Sequence, residues 1–336
     1  MLAIVDFDPF DADAKAWEDY FSYYNTIAKT SLSPREYKFW LKESLKGKQK
    51  KFKLLYKDDS LVLVMTSFTK KDTSGNEMLF IAMETILTEQ CIDLSTTTAN
   101  TILQLMDDYH FGSFRIATAN PLIIDMIGSF NGQILNKINF YQLSRNNINR
   151  ELLNTWQKNK YIETGKLKLT RYEYVPEGLY SEYAALLTTL MNDIVRTDNR
   201  EYFEETVERV KQKMELFKKN DVKMLLLMLS DLNDILVGMS IMLVYPGSTI
   251  ANQEMTGIIG KYRNKKLAAY LKAMMTEETF SRFPGVETIE TNCYEANKAI
   301  IHLNETFGFV PKETSLQFEV DAEHVVKFSG AQGNCF

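Results

Sequence analysis

The stretch TGIIGKYRNKKLAAYLK, residues 256–272, gathers Lys261, Arg263, Lys265 and Lys266 into one turn with no acid among them, in a chain whose net charge is −5. Its apolar start reads as a strand and its end as a helix. A strand that passes through a basic turn into a helix has the chemistry of an anion site. The first helical N–H groups have no intrahelical partners and the helix dipole is positive there. A phosphate in such a turn meets several donors at once, with cationic side chains around it. Bases at a helix start are otherwise locally unfavourable. The competing reading is a basic helix start that faces solvent.

The elements that must position this turn follow from patterning. In the first half, helices are expected over 14–29, 34–46 and 95–109. Strands are expected over 51–56, 61–68 and 77–87, with turns at Asp58-Asp59 and Ser74-Gly75-Asn76. FRIATA (114–119) reads as a strand, PLIIDMIGSF (121–130) as a helix opened by Asn120-Pro121, and 133–143 as a closing strand. The polar run 144–165 reads as a connection between two units. Beyond it, strands are expected over 166–175, 222–230, 235–246, 252–259, 287–294 and 308–320. Helices are expected over 179–194, 201–220, from about Asn264, and over 297–307.

The two halves end alike. FRIATANPLIIDMIGSFNGQI and ETIETNCYEANKAIIHLNETFGFV each run strand, Asn, helix, Gly, apolar strand. Counted back from Gly132 and Gly308, Asn120 and Asn297 coincide within one residue. A duplication accounts for this; the alternative is two ordinary strand-helix-strand units.

These residues resemble the GCN5-related N-acetyltransferases (GNAT). The family's R/Q-x-x-G-x-G/A turn is matched in RNKKLA by Arg263 and Ala268, with Lys266 where the central glycine usually stands. Its later signature, Asn before a helix that ends in aromatic-Gly-Phe, is matched by Asn297, Phe307, Gly308 and Phe309. The repeat gives a layout similar to the mycothiol-synthase-like tandem group. The resemblance implies an α/β (α+β) fold of two tandem GNAT-like domains, each a mixed, mostly antiparallel sheet flanked by helices. It implies a degenerate domain over 1–150, a linker over 151–165 and a domain with an acetyl-CoA site over 166–336. The coenzyme A would lie along Thr256, Gly257 and Ile258, on the turn Arg263, Asn264, Lys265, Lys266, Leu267 and Ala268, and near Asn297 and Asn304. The corresponding first-half turn, LTEQCIDLSTTTAN (87–100), has no Arg and carries Glu89 and Asp93, which would repel a diphosphate.

Acetyl transfer to an amine needs a base, and a donor for the leaving thiolate. Strand alternation places Glu254 on one face with Asn252 and Thr256, so Glu254 is the candidate base. The position matching the family's usual thiol-protonating Tyr is Asn304, which cannot act as an acid, and Tyr294 is the substitute candidate. Asp193 is a candidate for the acceptor side. The function implied is acetyl-CoA-dependent N-acetylation of a small-molecule or peptide amine. A non-catalytic acyl-CoA-binding protein and a tRNA-dependent aminoacyltransferase of the paired fold are the alternatives.

Composition bounds the rest. At 336 residues and 45% hydrophobic, the chain has length and apolar content for two domains. No apolar run reaches the ~18 residues of a membrane span. The N-terminus carries acids where a signal peptide would carry bases, so a cytoplasmic protein, monomeric or homodimeric, is expected. Cys91, Cys293 and Cys335 and the three histidines are scattered, so no metal site is expected. Mild acidity argues against a nucleic-acid surface.

Overall fold

A computed structural model of the chain describes residues 2–28, 41, 50–87, 92–198 and 201–332. They form two compact units. Unit 1 is Met1–Ile138, Thr197–Tyr202 and Thr314–Phe336; unit 2 is Asn139–Arg196 and Phe203–Glu313.

Unit 1 contains β1 (Leu2–Phe7), α1 (Ala14–Ala28), β2 (Lys50–Lys57), β3 (Ser60–Lys71), β4 (Glu77–Thr85), α2 (Ile92–Tyr109), β5 (Ser113–Thr118), α3 (Pro121–Ser129) and the start of β6 (Gln133–Ser144). Its sheet runs β1-β2-β3-β4-β5 and is then joined by β12 (Val310–Asp321), which is followed by α10 (Ala322–Gln332). The pairs are antiparallel except β4–β5. Asp58 and Asp59, both at positive φ (49° and 64°), make the tight β2–β3 turn. Asn120 caps α3 through the Leu122 N–H, with Pro121 at the first helical position.

Unit 2 takes the end of β6, then α4 (Arg150–Trp156), α5 (Lys160–Glu163), β7 (Leu167–Tyr172), α6 (Tyr180–Asn192), α7 (Val207–Lys219), β8 (Lys223–Asp231), β9 (Leu236–Val244), β10 (Ile250–Ile258), α8 (Leu267–Arg282), β11 (Thr288–Tyr294) and α9 (Lys298–Phe307). Its sheet order is β6-β11-β10-β9-β8-β7. β10 and β11 are parallel, joined by α8; the β7–β8, β8–β9 and β9–β10 pairs are antiparallel. β8 is buried on both faces. Leu225, Leu227 and Leu229 enter the core with α8, while Met224, Leu226 and Met228 enter the core with α6 and α7. A continuous apolar run is what two covered faces require.

The structure departs from the sequence expectations in five places. The unit bounds differ from 1–150 and 166–336 because β12 pairs with β5, Leu316↔Thr118 through Asp321↔Ser113, which carries residues 314–336 into unit 1. Residues 151–165 are not a linker. Asn149 and Asn159 cap α4 and α5, Arg145 donates to the carbonyls of Phe280, Phe283 and Val286, and Trp156 stacks on Phe307. The helix expected over 201–220 starts at Val207, capped by Thr206; Glu201 instead bridges to Asp72 in unit 1. The helix expected from Asn264 starts at Leu267, since Asn264 and Lys266 are left-handed. α10 was not expected. Residues 34–46, apart from the buried Leu41, and residues 88–91 of the first-half turn lie outside the described residues.

The repeated ends agree more closely in space than in sequence. Asn131 (φ 52°) and Gly308 (φ 99°) hold the same left-handed position after α3 and α9. The next N–H closes each helix end, Gly132 on Ile127 O and Phe309 on Asn304 O, both at 3.0 Å. Matching Asn131 with Gly308 removes the one-residue offset between Asn120 and Asn297, which cap the two helices.

Candidate active site

β10 is bulged. Gln253 pairs with Met242 and Met255 with Ile241, which leaves Glu254 as an extra residue. Pairing with β11 also stops here. The register ends at Asn252↔Glu290, although β10 runs on to Ile258 and β11 to Tyr294. The strands part beyond that point, and the edge of β10 facing away from β9 loses its strand partner over about 20 Å. The split is closed at one end by Thr291 Oγ1, which donates to Gln253 O at 3.1 Å. Its other end opens at the basic turn. Gly257 admits Leu190 of α6, which would meet an added Cβ at 2.9 Å.

The bulge corrects the expected face of Thr256. Its Oγ1 lies 2.9 Å from Ser240 Oγ and accepts from Gln253 Nε2 at 3.0 Å, on the side of Lys272 of α8, which bonds Gln253 Oε1. Glu254 is on the opposite side, where its charge acts on Tyr183 of α6 and it feels Lys213 of α7. One extra residue reverses the alternation.

The basic turn is built from both directions. Asn159, before α5, donates to Lys265 O at 3.0 Å. The Lys265 ammonium lies 4.6 Å and 5.3 Å from the ring centroids of Tyr262 and Tyr161. Arg263 donates through Nε to Ile258 O at 3.0 Å and pairs through Nη2 with Asp193 at 2.8 Å. Lys266 precedes α8 at φ 57°, ψ 19°, and gives it no side-chain cap, so the first N–H groups of Leu267, Ala268 and Ala269 are left without helical partners.

The glycine of the resembling motif thus falls where the backbone is left-handed, a conformation that costs a side-chain-bearing residue ~1–2 kcal/mol. Lys266→Gly should raise the melting temperature and change CoA affinity by less than about tenfold. Arg263→Glu should weaken CoA by more than about tenfold, because it opens the loop and sets a carboxylate against Asp193. Calorimetric titration of both variants checks this. A greater loss in Lys266→Gly than in Arg263→Glu would make the Lys266 side chain, not the loop backbone, the anion ligand.

On the α6–α7 side, Glu254 is exposed at the bulge, yet the side chains crowded around its carboxyl limit its solvation and push it up, while Lys213 pulls it down. Lys213 also pairs with the buried Glu205. Burial, then Glu205 and Glu254, push the Tyr183 hydroxyl well up, so it stays protonated. On the α8–α9 side, Asn304 is 0% exposed, and neither amide atom has a hydrogen-bond partner among the described residues. Asn297 accepts from Ile300 N at the start of α9. Tyr294, at the open end of β11, has the Arg196 guanidinium 5.4 Å from its ring. Of the residues expected from sequence, Thr256, Gly257, Ile258 and the 263–268 turn lie along the split and its mouth. Asp193 joins them through Arg263. Asn159, Tyr161, Tyr183, Lys213 and Lys272 were not expected. Among the described residues no cluster of His, Cys, Asp and Glu fits a metal ion, and no helix is long and apolar enough to cross a membrane.

A sheet whose parallel pair splits beside a bulge, with a helix N-terminus at the mouth of the split, defines the class: a mixed α/β unit with a cleft between two parallel strands. The chain as a whole has the fold of the tandem GCN5-related N-acetyltransferases. A tandem GNAT protein from the clavulanic acid biosynthesis pathway matches with a TM-score of 0.70 at 11% identity, over 96% of this chain and 99% of that one. A GCN5-related N-acetyltransferase from Sphaerobacter thermophilus matches with 0.62 at 11%, over 96% of each. The glucosamine N-acetyltransferase region of a fungal multi-domain β-N-acetylglucosaminidase matches with 0.63 at 10%, over 95% of this chain and 38% of that one. At these identities the likeness is one of fold. No family model matches the sequence, and no curated protein does.

Proposed function

We propose that the chain is an N-acetyltransferase that takes its acyl group from acetyl-CoA and gives it to the amine of a small molecule or peptide. The observation that carries this reading is the split between β10 and β11, which leads from the N-terminus of α8 to the bulge at Glu254. The residues present fit the donor. The unpartnered edge of β10 suits an extended arm that carries amides, and the turn Arg263–Ala268 with the first N–H groups of α8 suits a diphosphate. The buried Asn304 amide has hydrogen-bonding capacity to spare. Bound there, the thioester would supply an activated acyl group.

The chain's own residues do the remainder. The β10 backbone aligns the donor, and its N–H groups beside the bulge, up to Thr256, stabilise the carbonyl oxygen where charge develops. Glu254 removes a proton from the amine, directly or through one water. The amine enters from the side of α6 and α7, where the exposed Glu254 favours a cation.

Unit 1 is read as a scaffold without a donor site. Its parallel pair also parts early, with the β4–β5 register ending at Phe80↔Arg115, but its β3–β4 register is unbroken from Leu63↔Thr85 to Lys71↔Glu77, so β4 has no bulge, the Tyr23 hydroxyl donates to Glu84 O, and residues 87–100 hold no basic side chain. Isothermal titration with CoA should therefore give one site per chain. Two equivalent sites, or protection from hydrogen exchange that maps to unit 1, would overturn the assignment.

A further inference from the structure

The buried face of α8 carries a lysine. Lys272 is 2% exposed. Its Nζ is 2.5 Å from Gln253 Oε1 and 4.3 Å from the centroid of the Phe309 ring. Gln253 stands at the closed end of the split, one residue past the last β10–β11 pair and one before the bulge. Its Nε2 is committed to Thr256 and Ser240, which leaves Oε1 to face the lysine. The ammonium meets Gln253 of β10 and the Phe309 ring after α9, with Thr256 of β10 and Ser240 of β9 reached through Gln253. Among the described residues, Cys293 of β11 is the titratable group that acts on it. Two further polar groups without partners among the described residues come from the same two helices, Thr276 Oγ1 one turn along α8 and the Asn304 amide of α9. Phe309 links the two sides, since its N–H closes on Asn304 O.

We propose that Lys272 is the acid that protonates the departing thiolate, in place of a tyrosine on α9. This rests on the acyl-transfer reading above. A donor whose diphosphate sits at the mouth of the split brings its thioester to the closed end, where Lys272 is. Tyr294 lies four residues beyond the last β11 pair, roughly 13 Å along the strand. In the step itself, the amine nitrogen bonds to the acyl carbon and the carbon–sulfur bond breaks with its electron pair on sulfur. An Nζ proton passes to sulfur to give the free thiol. The proton lost by the amine goes to Glu254 on the opposite side of the sheet. Thioester and amine become amide and thiol; solvent reprotonates Lys272 and deprotonates Glu254.

The electrostatics agree with the placement. Burial lowers Lys272 to about 7, close to the best value for proton transfer at neutral pH. Burial raises the Cys293 thiol to about 11, so it stays neutral and does not compete. Glu305 of α9 acts on Cys293 and Tyr141, not on Lys272.

The test has two parts. In the free protein, carbon-13 NMR of labelled lysine side chains should show one resonance with a midpoint near 7, absent in Lys272→Met and in Lys272→Gln. Kinetics then use hydroxylamine as acceptor, which is neutral at pH 7 and needs no base. With acetyl-CoA both variants should release thiol ~100- to 10,000-fold more slowly than the parent, with CoA affinity within about threefold. With the selenoester analogue of acetyl-CoA, whose leaving group needs no proton, the deficit should shrink to less than about tenfold. A Lys272 that titrates above about 9, or a deficit equal for both donors, overturns the proposal. A parent chain that binds no CoA overturns the acyl-transfer reading instead.

Discussion

Glu254→Gln should lower kcat/KM for amine acetylation by ~100- to 10,000-fold, the usual loss on removing a general base, while CoA affinity holds. Glutamine keeps the shape and hydrogen-bonding capacity at the bulge and removes only the basicity. The parent needs the carboxylate form, and the limited solvation of the carboxyl at the bulge has raised the pH at which that form appears. Parental kcat/KM should therefore climb as pH rises through that raised value, and the variant should show no such limb. The deficit should narrow at high pH, where the amine is already neutral. Stability has the opposite sign. A carboxyl whose folded pKa is raised destabilises the fold once it ionises, so Glu254→Gln should melt no lower than the parent at neutral pH, and the two should converge in acid. A variant profile that overlays the parent's in shape and height would leave solvent as the proton acceptor.

Arg115→Ala should destabilise the protein by about 3–5 kcal/mol in urea unfolding, the range for removing one partner of a buried ion pair. Arg115 is 1% exposed. It faces three carboxylates of unit 1: Asp198 at 2.8 Å, Glu319 at 3.2 Å and Glu201 at 3.8 Å. Lys70, at 3.5 Å from Glu201, and the Gln317 amide, which donates to the same carboxylate, share the load. Without the guanidinium the acids repel one another in a site with little water. Arg115→Met combined with Glu319→Gln should recover part of the loss, which a simple packing defect would not. A cost below about 1 kcal/mol would show that water, not arginine, balances the acids.

The sequence was most legible where one local rule acted alone. Asn120-Pro121 announced α3, and the apolar run of β8 announced a strand. It was least legible where a distant segment or one inserted residue decided the outcome. Alternation in FRIATA sends Phe114 and Ile116 to the core and Arg115 to the other face. That this face is sealed depends on Asp198 and Glu201, far along the chain. Alternation also put Glu254 beside Thr256, and the bulge parted them. Ala268, Lys272, Thr276 and Thr279 recur on one side of α8, a small and polar stripe in a helix otherwise read by its leucines and methionines. That stripe was the available sign of a buried lysine. Lys266 was read through its charge, whereas its left-handed backbone explains why a glycine would suit the position.

The pairing of β12 with β5 bears on how the polypeptide reaches its folded state. The partners are separated by roughly 200 residues, a separation that makes pairing slow because a long loop must close first. During synthesis β5 emerges long before the strand that will cover it. Its open edge, in a segment as apolar as FRIATA, is a template for wrong pairing during that interval. The first unit is thus finished only after nearly all of the second has been made, and it cannot be cut from the gene as one continuous piece without leaving its sheet one strand short.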